Sequence, residues 1–537
     1  VYPEGLTYVH PYPGSGANSA QTTIIIRLDT AVFGASNVSA SDLAAIKLTS
    51  RKNGAVAYDA QWLAAWHTIS ITPRVPLPWA DSVVVDMSAF TPAGKKHPPQ
   101  TAAWAFTVAD SAHKPTTTAA QGPVPTSLKP VTYVPGGKFD TARYKLPYVS
   151  VNRPWADGMD DADGGDVIVT SCFIGRGGLT LPDSFRNKRM PDSFLLFIDG
   201  NGKILRAQHW PGRTVSVVSV DEQEGVYFHL SEGLAGEKAV IYRMDRHFQI
   251  ADSFRVGHGY PTSGHEFKRL ANGNVLVLGQ PLVPMRIDAA RYGYGPDKII
   301  ENTVIQELTP TGTVVWEWRS GDHLGWDEAV QDVAQLLKKG QVIAPFHLNA
   351  LDVDTDGNII ASARSLDQII KIERPSGRIL WRMGGAYALH NDFDIEGDRE
   401  HGTSHQHGVN LLPNNRLLVF DNGNLRKLHR DRQDTTTYIP YSRAVEYALD
   451  QPGCTAKLVA QFRPADDPYR FGINWGYAQR LHNGHTLVTW GGAIGQPSIS
   501  EFAPDGKVVW EITLQNCFAY RSFKVPAGTF SLTAGRR

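Results

Sequence analysis

Between Phe197 and Ile512 the chain repeats one two-strand pattern six times. Each copy is an apolar run, a turn, and a second run that often carries tryptophan. The copies are FIDGNGKILRAQ (Phe197–Gln208), YRMDRHFQIADSF (Tyr242–Phe254), QELTPTGTVVWEW (Gln306–Trp318), IKIERPSGRILWRM (Ile370–Met383), EYALDQPGCTAKLVAQF (Glu446–Phe462) and SEFAPDGKVVWEI (Ser500–Ile512). Most intervals are about fifty to seventy-five residues, a spacing that signals a repeat architecture. A second hairpin lies between copies, with its turn at Gly273, Gly357, Asn415 and Gly484 and a degenerate version near Glu224–Gly225. Two hairpins per interval make a four-stranded unit. Six such units predict an all-β fold, a six-bladed β-propeller that closes on itself and leaves only protected edges. A parallel solenoid fits less well, because its repeats are shorter and more regular. The clearest helical stretch is DEAVQDVAQLLKKG (Asp327–Gly340), which ends at a glycine cap.

The reading changes ahead of the repeats. Residues 1–112 are predicted to form an N-terminal immunoglobulin-like β-sandwich. Its strands are TTIIIRLD (Thr22–Asp29), AIKLTS (Ala45–Ser50), HTISITP (His67–Pro73), SVVVDMS (Ser82–Ser88) and AAWAFTVAD (Ala102–Asp110), β-branched runs bounded by turn residues. This part offers no catalytic constellation; His67 and His97 are isolated and read as surface or turn residues. Residues 113–137, rich in Pro, Thr and Gly, read as a linker, and 138–537 as the propeller carrying the active site.

Bulk properties exclude several classes. A chain of 537 residues is too long for one ordinary core. Lys+Arg and Asp+Glu both number 53, so the basic excess of a dedicated nucleic-acid binder is missing. No apolar run approaches the length of a membrane span. Three cysteines, Cys172, Cys454 and Cys517, do not make a disulfide framework, though they allow one pair. The chain starts at Val1 without methionine. A secreted or periplasmic protein whose leader has been removed is the expectation, with a trimmed chain as the alternative.

Histidines stand ahead of three inner hairpins. His265 opens HEFKRLANGNVLVLG, His347 opens HLNALDVDTDGNIIASAR, and His401, His405 and His407 precede the turn at Asn415. The next unit has Asn474, Trp475 and Gly476 at that place, and no histidine. The repeat therefore folds without one, and three imidazoles at equivalent positions around an axis can converge on a pocket. Taken singly, a histidine is more often structural. Spacing to the turn favours His407 by comparison with His265, and His405 by comparison with His347. The two also alternate by two, so both can face one side of a strand. Asn349, two residues after His347, is expected to share its face. Arg364 ends the partner strand, and its forked, permanently charged guanidinium suits a sulfate or phosphate oxyanion. Zinc is the second choice for the trio, because close pairs such as His-x-x-x-His are missing. The acidic stretch Asp157–Asp166 reads as a solvated loop rather than a calcium site. The glycine run Tyr292–Asp297 lacks the Lys-Ser/Thr of a phosphate loop.

The blocks HEFKRLANGNVLVLG, FHLNALDVDTDGNIIASAR, QHGVNLLPNNRLLVFDNGN, SRAVEYALD and YAQRLHNGHTLVTWGG resemble, in order, those of the bacterial arylsulfotransferases (aryl-sulfate sulfotransferases). The resemblance spans Gly259 to Arg521, about half the chain. It implies a six-bladed propeller behind a small β-sandwich, in an exported protein. It implies ping-pong transfer of a sulfuryl group between phenols through a sulfohistidine, independent of the nucleotide donor PAPS. Matched by position, His347 and Asn349, Arg364 and His265 line the site and His407 is the nucleophile. The implied partners are a small-molecule aryl sulfate and a phenolic acceptor, with no cofactor, metal or nucleic acid; a homodimer is compatible. The resemblance does not extend to the N-terminal domain, the first two units or the cysteines. Trp475, Tyr477 and Trp490 can stack on an aryl group or pack between units. Two other classes stay open: a non-catalytic extracellular propeller, separated by turnover of an aryl sulfate, and a metal-dependent propeller hydrolase or lyase, separated by metal analysis.

Overall fold

The structure is a computed structural model, and it describes residues 3, 5–33, 37–92, 103–109, 128–141, 143–155, 166–174, 193–232, 239–286, 297–330, 343–425, 441–492 and 497–532. Outside them fall His97, most of the linker, the acidic stretch up to residue 165, most of the glycine run, and the helical stretch beyond Val330. The start of that stretch is a 3-10 turn, Trp326–Glu328. The protein is all-β; among the described residues the longest helix is Ala40–Ala44, with 5 residues.

Two four-stranded sheets form the N-terminal part. One runs in the order Leu6–His10, Ile24–Leu28, Thr68–Pro73, Tyr58–Leu63, and the other Gly54–Ala55, Lys47–Ser50, Ser82–Asp86, Ala103–Thr107. Strand alternation turns Leu48, Val83, Val85, Trp104 and Phe106 inward, onto Ile24, Ile26, Ile69 and Ile71 of the other sheet. The edge strand Leu6–His10, which the sequence reading does not anticipate, pairs with Ile24–Leu28.

Six further sheets follow, and the six repeat copies are their outer hairpins. The first has the order Cys517–Val525, Val167–Ile174, Ser193–Asp199, Ile204–His209, Val131–Tyr133. The second is Arg213–Asp221, Gly225–Glu232, Val240–Met244, Ile250–Phe254. The third is Thr262–Arg269, Val275–Gly279, Val304–Leu308, Val314–Arg319. The fourth is Leu348–Val353, Ile359–Ala363, Gln368–Ile372, Ile379–Gly384. The fifth is His407–Leu412, Arg416–Asp421, Arg443–Asp450, Thr455–Phe462, with Asp394–Glu396 at its edge. The sixth is Tyr477–Arg480, Thr486–Thr489, Ile499–Phe502, Val508–Gln515, Tyr148–Arg153. The first strand named in each sheet touches its counterpart in the next, and Cys517–Val525 touches both the second and the sixth. The result is β-propeller-like. Strands such as Val275–Gly279, Ile359–Ala363 and Gln368–Ile372 are buried at every position. A neighbouring sheet covers each of their faces, so they read as continuous apolar runs rather than alternating ones. Burying one such Ile or Leu side chain stabilises by about 1.5–3 kcal/mol.

Both ends of this region stitch the ring. The strand Cys517–Val525 returns to become the innermost member of the first sheet, and Tyr148–Arg153 crosses to the outer edge of the sixth. A disulfide, Cys172–Cys517, joins the returning strand to Val167–Ile174, leaving Cys454 free. Val131–Tyr133, inside the stretch that the sequence assigns to the linker, is an edge strand of the first sheet. The third sheet carries an inserted hairpin, Leu282–Arg286 with Asp297–Glu301, between its second and third strands. The N-terminal sheets dock on this third sheet. Tyr8 and Ile25 share a core with Trp316 and Trp318, and the Glu317 N–H donates to the Tyr8 hydroxyl at 2.9 Å.

Candidate active site

Three inner strands lose register where their histidines sit. The shifts fall between Thr262 and Phe267, Leu348 and Ala350, and His407 and Val409. The inner strand of the sixth sheet, which has no histidine at this place, pairs without a shift. A bulge bends its strand and re-aims a side chain, and here it turns the histidine toward the axis. The backbone is unusual at these points. His347 (φ 43°) and His405 (φ 54°) occupy the left-handed region, which residues with a Cβ seldom adopt. Gly408 (φ 59°) must be glycine for a second reason: a Cβ there would lie 2.7 Å from the Tyr477 ring.

His265, His347 and His407 converge, each with a ring nitrogen within 4.8 Å of the other two. The rings of His265 and His347 meet edge to face at 4.9 Å. Each Nδ1 lies near a different neighbour. Ser263 Oγ is 2.8 Å from that of His265, Asn422 Oδ1 is 2.7 Å from that of His407, and Glu301 Oε1 is 3.9 Å from that of His347. The Nε2 atoms are the nitrogens these neighbours leave open. The Asn422 amide settles one tautomer. Its Nδ2 donates to the carbonyls of Gly472 at 2.7 Å and Trp475 at 2.9 Å, so its Oδ1 can only accept. His407 therefore carries its proton on Nδ1 and presents a lone pair on Nε2.

Desolvation keeps all three imidazoles neutral. It pulls His265 down to about 3, and the Arg521 and Arg364 charges act in the same direction. His347 and His407 also lie well below the usual histidine value, first through burial, then through His265 and Arg364 for the one and Arg364 for the other. Arg364 opens the turn Arg364–Leu366, and its N–H donates to the His347 carbonyl at 3.2 Å. Burial lowers its pKa to about 10, with Asp367 opposing, so it stays charged at neutral pH. Among the described residues no side chain hydrogen-bonds to its guanidinium or pairs with it. A desolvated, unpaired cation favours an anion in the pocket.

Other expected residues are placed differently. His405 and His407 do not alternate on one strand, because the strand begins at His407. His405 lies in the turn before it, with Nδ1 3.0 Å from Asp367 Oδ1. His401 is exposed. Asn349 does not simply share a face with His347, since the register shift intervenes. Its Nδ2 donates to the Gln406 carbonyl at 2.8 Å, bracing the backbone that leads into His407. Trp475 stacks on Phe173 at 5.1 Å, in a cluster with Phe518 and Tyr520. The Tyr520 ring lies 6.0 Å from that of His265, so these aromatics border the trio. Tyr477 and Trp490 pack between sheets.

Sequence reasoning missed Arg521, Asn422, Ser263 and Glu301. Arg521 pairs with Glu266 at 3.1 Å and donates to the Asn349 carbonyl at 3.3 Å. Burial pulls its pKa down, but the Glu266 carboxylate outweighs that and holds it above the usual value. Glu266, directly after His265, is the one sequence signal that could have pointed to this pair. The trio is also compact enough for a divalent metal ion. The Arg364 charge, which no side chain among the described residues bonds, works against a cation and for an oxyanion.

Residues 178–521, well over half of the chain, match the family model for arylsulfotransferase (ASST), and the chain belongs to the arylsulfotransferase family. Sulfotransferase activity on small aryl substrates is the activity of that family. No curated protein matches the sequence. Among solved structures, the chain is similar to a protein of unknown function from Bacteroides caccae, at 13% identity over 65% of this chain and 93% of that one, with a TM-score of 0.38. It is also similar to virginiamycin B lyase from Staphylococcus aureus, at 10% identity over 71% and 89%, with a TM-score of 0.31. The Cps50 (Swd1) β-propeller domain of Myceliophteria thermophila is similar at 9% identity over 67% and 86%, with a TM-score of 0.31. No helix of the described residues is long and apolar enough to cross a membrane.

Proposed function

We propose that this protein is a PAPS-independent aryl-sulfate sulfotransferase that works by a ping-pong mechanism through a sulfohistidine at His407. One observation carries the reading: three neutral imidazoles converge beside the unpaired Arg364 guanidinium. The His407 Nε2 lone pair attacks sulfur as the sulfur–oxygen bond to the aryl group breaks. The aryl oxygen leaves with the electron pair and takes a proton relayed through the ring of His265 or His347, one nitrogen giving a proton as the other takes one from the group behind it. Arg364 neutralises the sulfuryl oxygens, the main demand of such a transfer. In the second half, the acceptor phenol gives its proton to an imidazole and its oxygen attacks sulfur. The nitrogen–sulfur bond then breaks. Asn349 and Asn422 position His407, and the aromatics around Trp475 give an aryl ring a surface. No step draws on a metal or a cofactor.

The proposal extends to architecture and location. We read the six sheets as a six-bladed propeller, residues 138–537 with Val131–Tyr133 added, and the N-terminal pair of sheets as an immunoglobulin-like sandwich. A secreted or periplasmic location is supported by the Cys172–Cys517 disulfide, since such bonds persist in oxidising compartments.

Intact-protein mass spectrometry tests the mechanism. With an aryl sulfate and no acceptor, the enzyme is expected to release a stoichiometric burst of phenol and gain the mass of one sulfuryl group, after a quench that avoids acid. Turnover without any adduct, together with kinetics that require a ternary complex, would replace the covalent route with direct transfer.

A further inference from the structure

The inserted hairpin of the third sheet brings a carboxylate to the site. Glu301 ends the returning strand, its N–H held by the Ile343 carbonyl at 2.8 Å, and Gln280 at the start of the insertion donates to Glu301 Oε1 at 2.9 Å. The same oxygen lies 3.9 Å from His347 Nδ1. The three histidines differ in this respect. Neutral groups, Ser263 and Asn422, sit on the Nδ1 of His265 and His407, while His347 has an acid behind it. The gap is roughly 1 Å beyond hydrogen-bond reach, the kind of distance that tightens when substrate binds.

We propose that Glu301 is the proton store of the reaction, a positioning residue that acts through His347 and makes that histidine, rather than His265, the general acid and base. The proposal rests on the sulfotransferase reading above. When the aryl oxygen leaves, His347 Nε2–H protonates it, and the Glu301 carboxyl restores a proton to Nδ1. When the acceptor attacks, its phenolic proton goes to Nε2 and the Nδ1 proton returns to Glu301. The proton of the acceptor thus refills Glu301, replacing the one that left on the phenol, and nothing is consumed. Burial suits Glu301 to the task, since it pushes the carboxyl up to about 7, with the Gln280 donation opposing. The groups acting on His347 are His265, Arg364, His407 and His405; apart from burial, Gln280 acts on Glu301. A carboxyl that titrates near neutrality can both give and accept a proton, as the two half-reactions require.

Rapid-quench kinetics of each half-reaction test this, with Glu301→Gln and two donors. Phenyl sulfate has a poor leaving group and 4-nitrophenyl sulfate a good one. The variant is expected to slow the burst about 100-fold with phenyl sulfate and about threefold with the nitrophenyl ester, the pattern of a lost proton source. In the wild type, the phenyl sulfate burst falls as pH rises through about 7, and transfer from the sulfurylated enzyme to phenol falls as pH drops through about 7. Both limbs vanish in Glu301→Gln. Gln280→Leu removes a donation that lowers the Glu301 pKa, so both limbs move to higher pH, a readout available even if Glu301→Gln folds poorly. Equal slowing of both donors, limbs that persist in Glu301→Gln, or no movement in Gln280→Leu would each overturn the proposal and leave the sulfotransferase reading standing. A wild-type enzyme that forms no adduct and turns over neither donor would remove both.

Discussion

The protein contains two triads of similar make-up. His265, His347 and His407 sit at the inner ring, and His10, His258 and Glu317 sit where the N-terminal sheets meet the third sheet. In both, the ring nitrogens or carboxylate oxygens lie within 4.8 Å of one another. Their surroundings differ in charge balance. At the docking surface, Glu317 Oε2 takes His258 Nδ1 at 2.7 Å and the Gln306 amide at 2.5 Å, while His10 Nε2 lies 3.3 Å from Oε1. His258 Nε2 accepts from the Thr23 N–H at 3.1 Å, and the two imidazoles stack at 5.7 Å. Burial would raise the Glu317 carboxyl, but its two histidine neighbours outweigh that and bring it down to about 2. At the inner ring the nearest carboxylate, Glu301, stands 3.9 Å behind His347 and reaches neither of the other imidazoles, and the neighbouring Arg364 has only the Asp367 charge nearby, with no side chain bonded to it. A triad whose charges are answered from within acts as mortar. One that leaves a charge unanswered is ready for a substrate that supplies the counter-charge.

Substitutions should separate the two. His407→Asn removes the proposed nucleophile and should lower sulfuryl transfer by at least about 10⁴-fold with no adduct by mass spectrometry, while stability changes by about 1 kcal/mol or less. A normal burst from this variant would move the nucleophile elsewhere. Arg364→Ala should slow the burst by about 10²–10³-fold and leave the adduct attainable. Urea unfolding should find it no less stable than the wild type, since an unpaired, desolvated charge has been removed. Glu317→Gln should do the reverse. Breaking a buried, paired charge should cost about 3 kcal/mol in the same unfolding assay, with the transfer rate per folded molecule within about twofold of wild type. If it impaired chemistry instead, the division into mortar and site would fail.

The smallest effect is in pH. Desolvation by burial holds His10 down at about 3, against 6.5 for an ordinary histidine, so the folded state keeps it neutral while the unfolded chain protonates. The stability from neutral His10 is present above pH 6.5 and is lost as pH falls from there toward about 3. The slope is at most about 1.4 kcal/mol per pH unit for one group. His10→Gln should flatten the fall in thermal midpoint between neutral and mildly acid pH; an unchanged profile would mean that His10 does not stay neutral.

Much of this was readable in the chain, and particular residues show where reading stopped. The inner hairpins were legible because their turns need special backbone: Gly273, Gly357, Asn415 and Gly484 all have positive φ. The convergence of three histidines followed from their common place ahead of those turns. Which residue of the His405/His407 pair reaches the centre was not legible. A rule of strict alternation cannot foresee a bulge at Gly408 or the left-handed backbone of His405. Leu6–His10 escaped notice because a short edge strand has little periodicity to show. Arg521, Asn422 and Glu301 were out of reach for another reason. Arg521 arrives from the first sheet and Glu301 from an insertion, and only the closing of the ring of sheets brings them to the site; Asn422 follows the partner strand of His407 in the same hairpin, where no motif marks it.

That closure also has a consequence for the chain as it is being made. The three histidines and Arg364 are all synthesised before the strand Cys517–Val525, which supplies Arg521, Tyr520 and the innermost wall of the first sheet. A nascent chain therefore holds the proposed nucleophile while the pocket around it still lacks a side, and the first sheet waits with an uncovered inner edge for a partner at the far end of the message. A ribosome that stops before this last strand releases a protein with His265, His347 and His407 in place and no enclosed pocket around them.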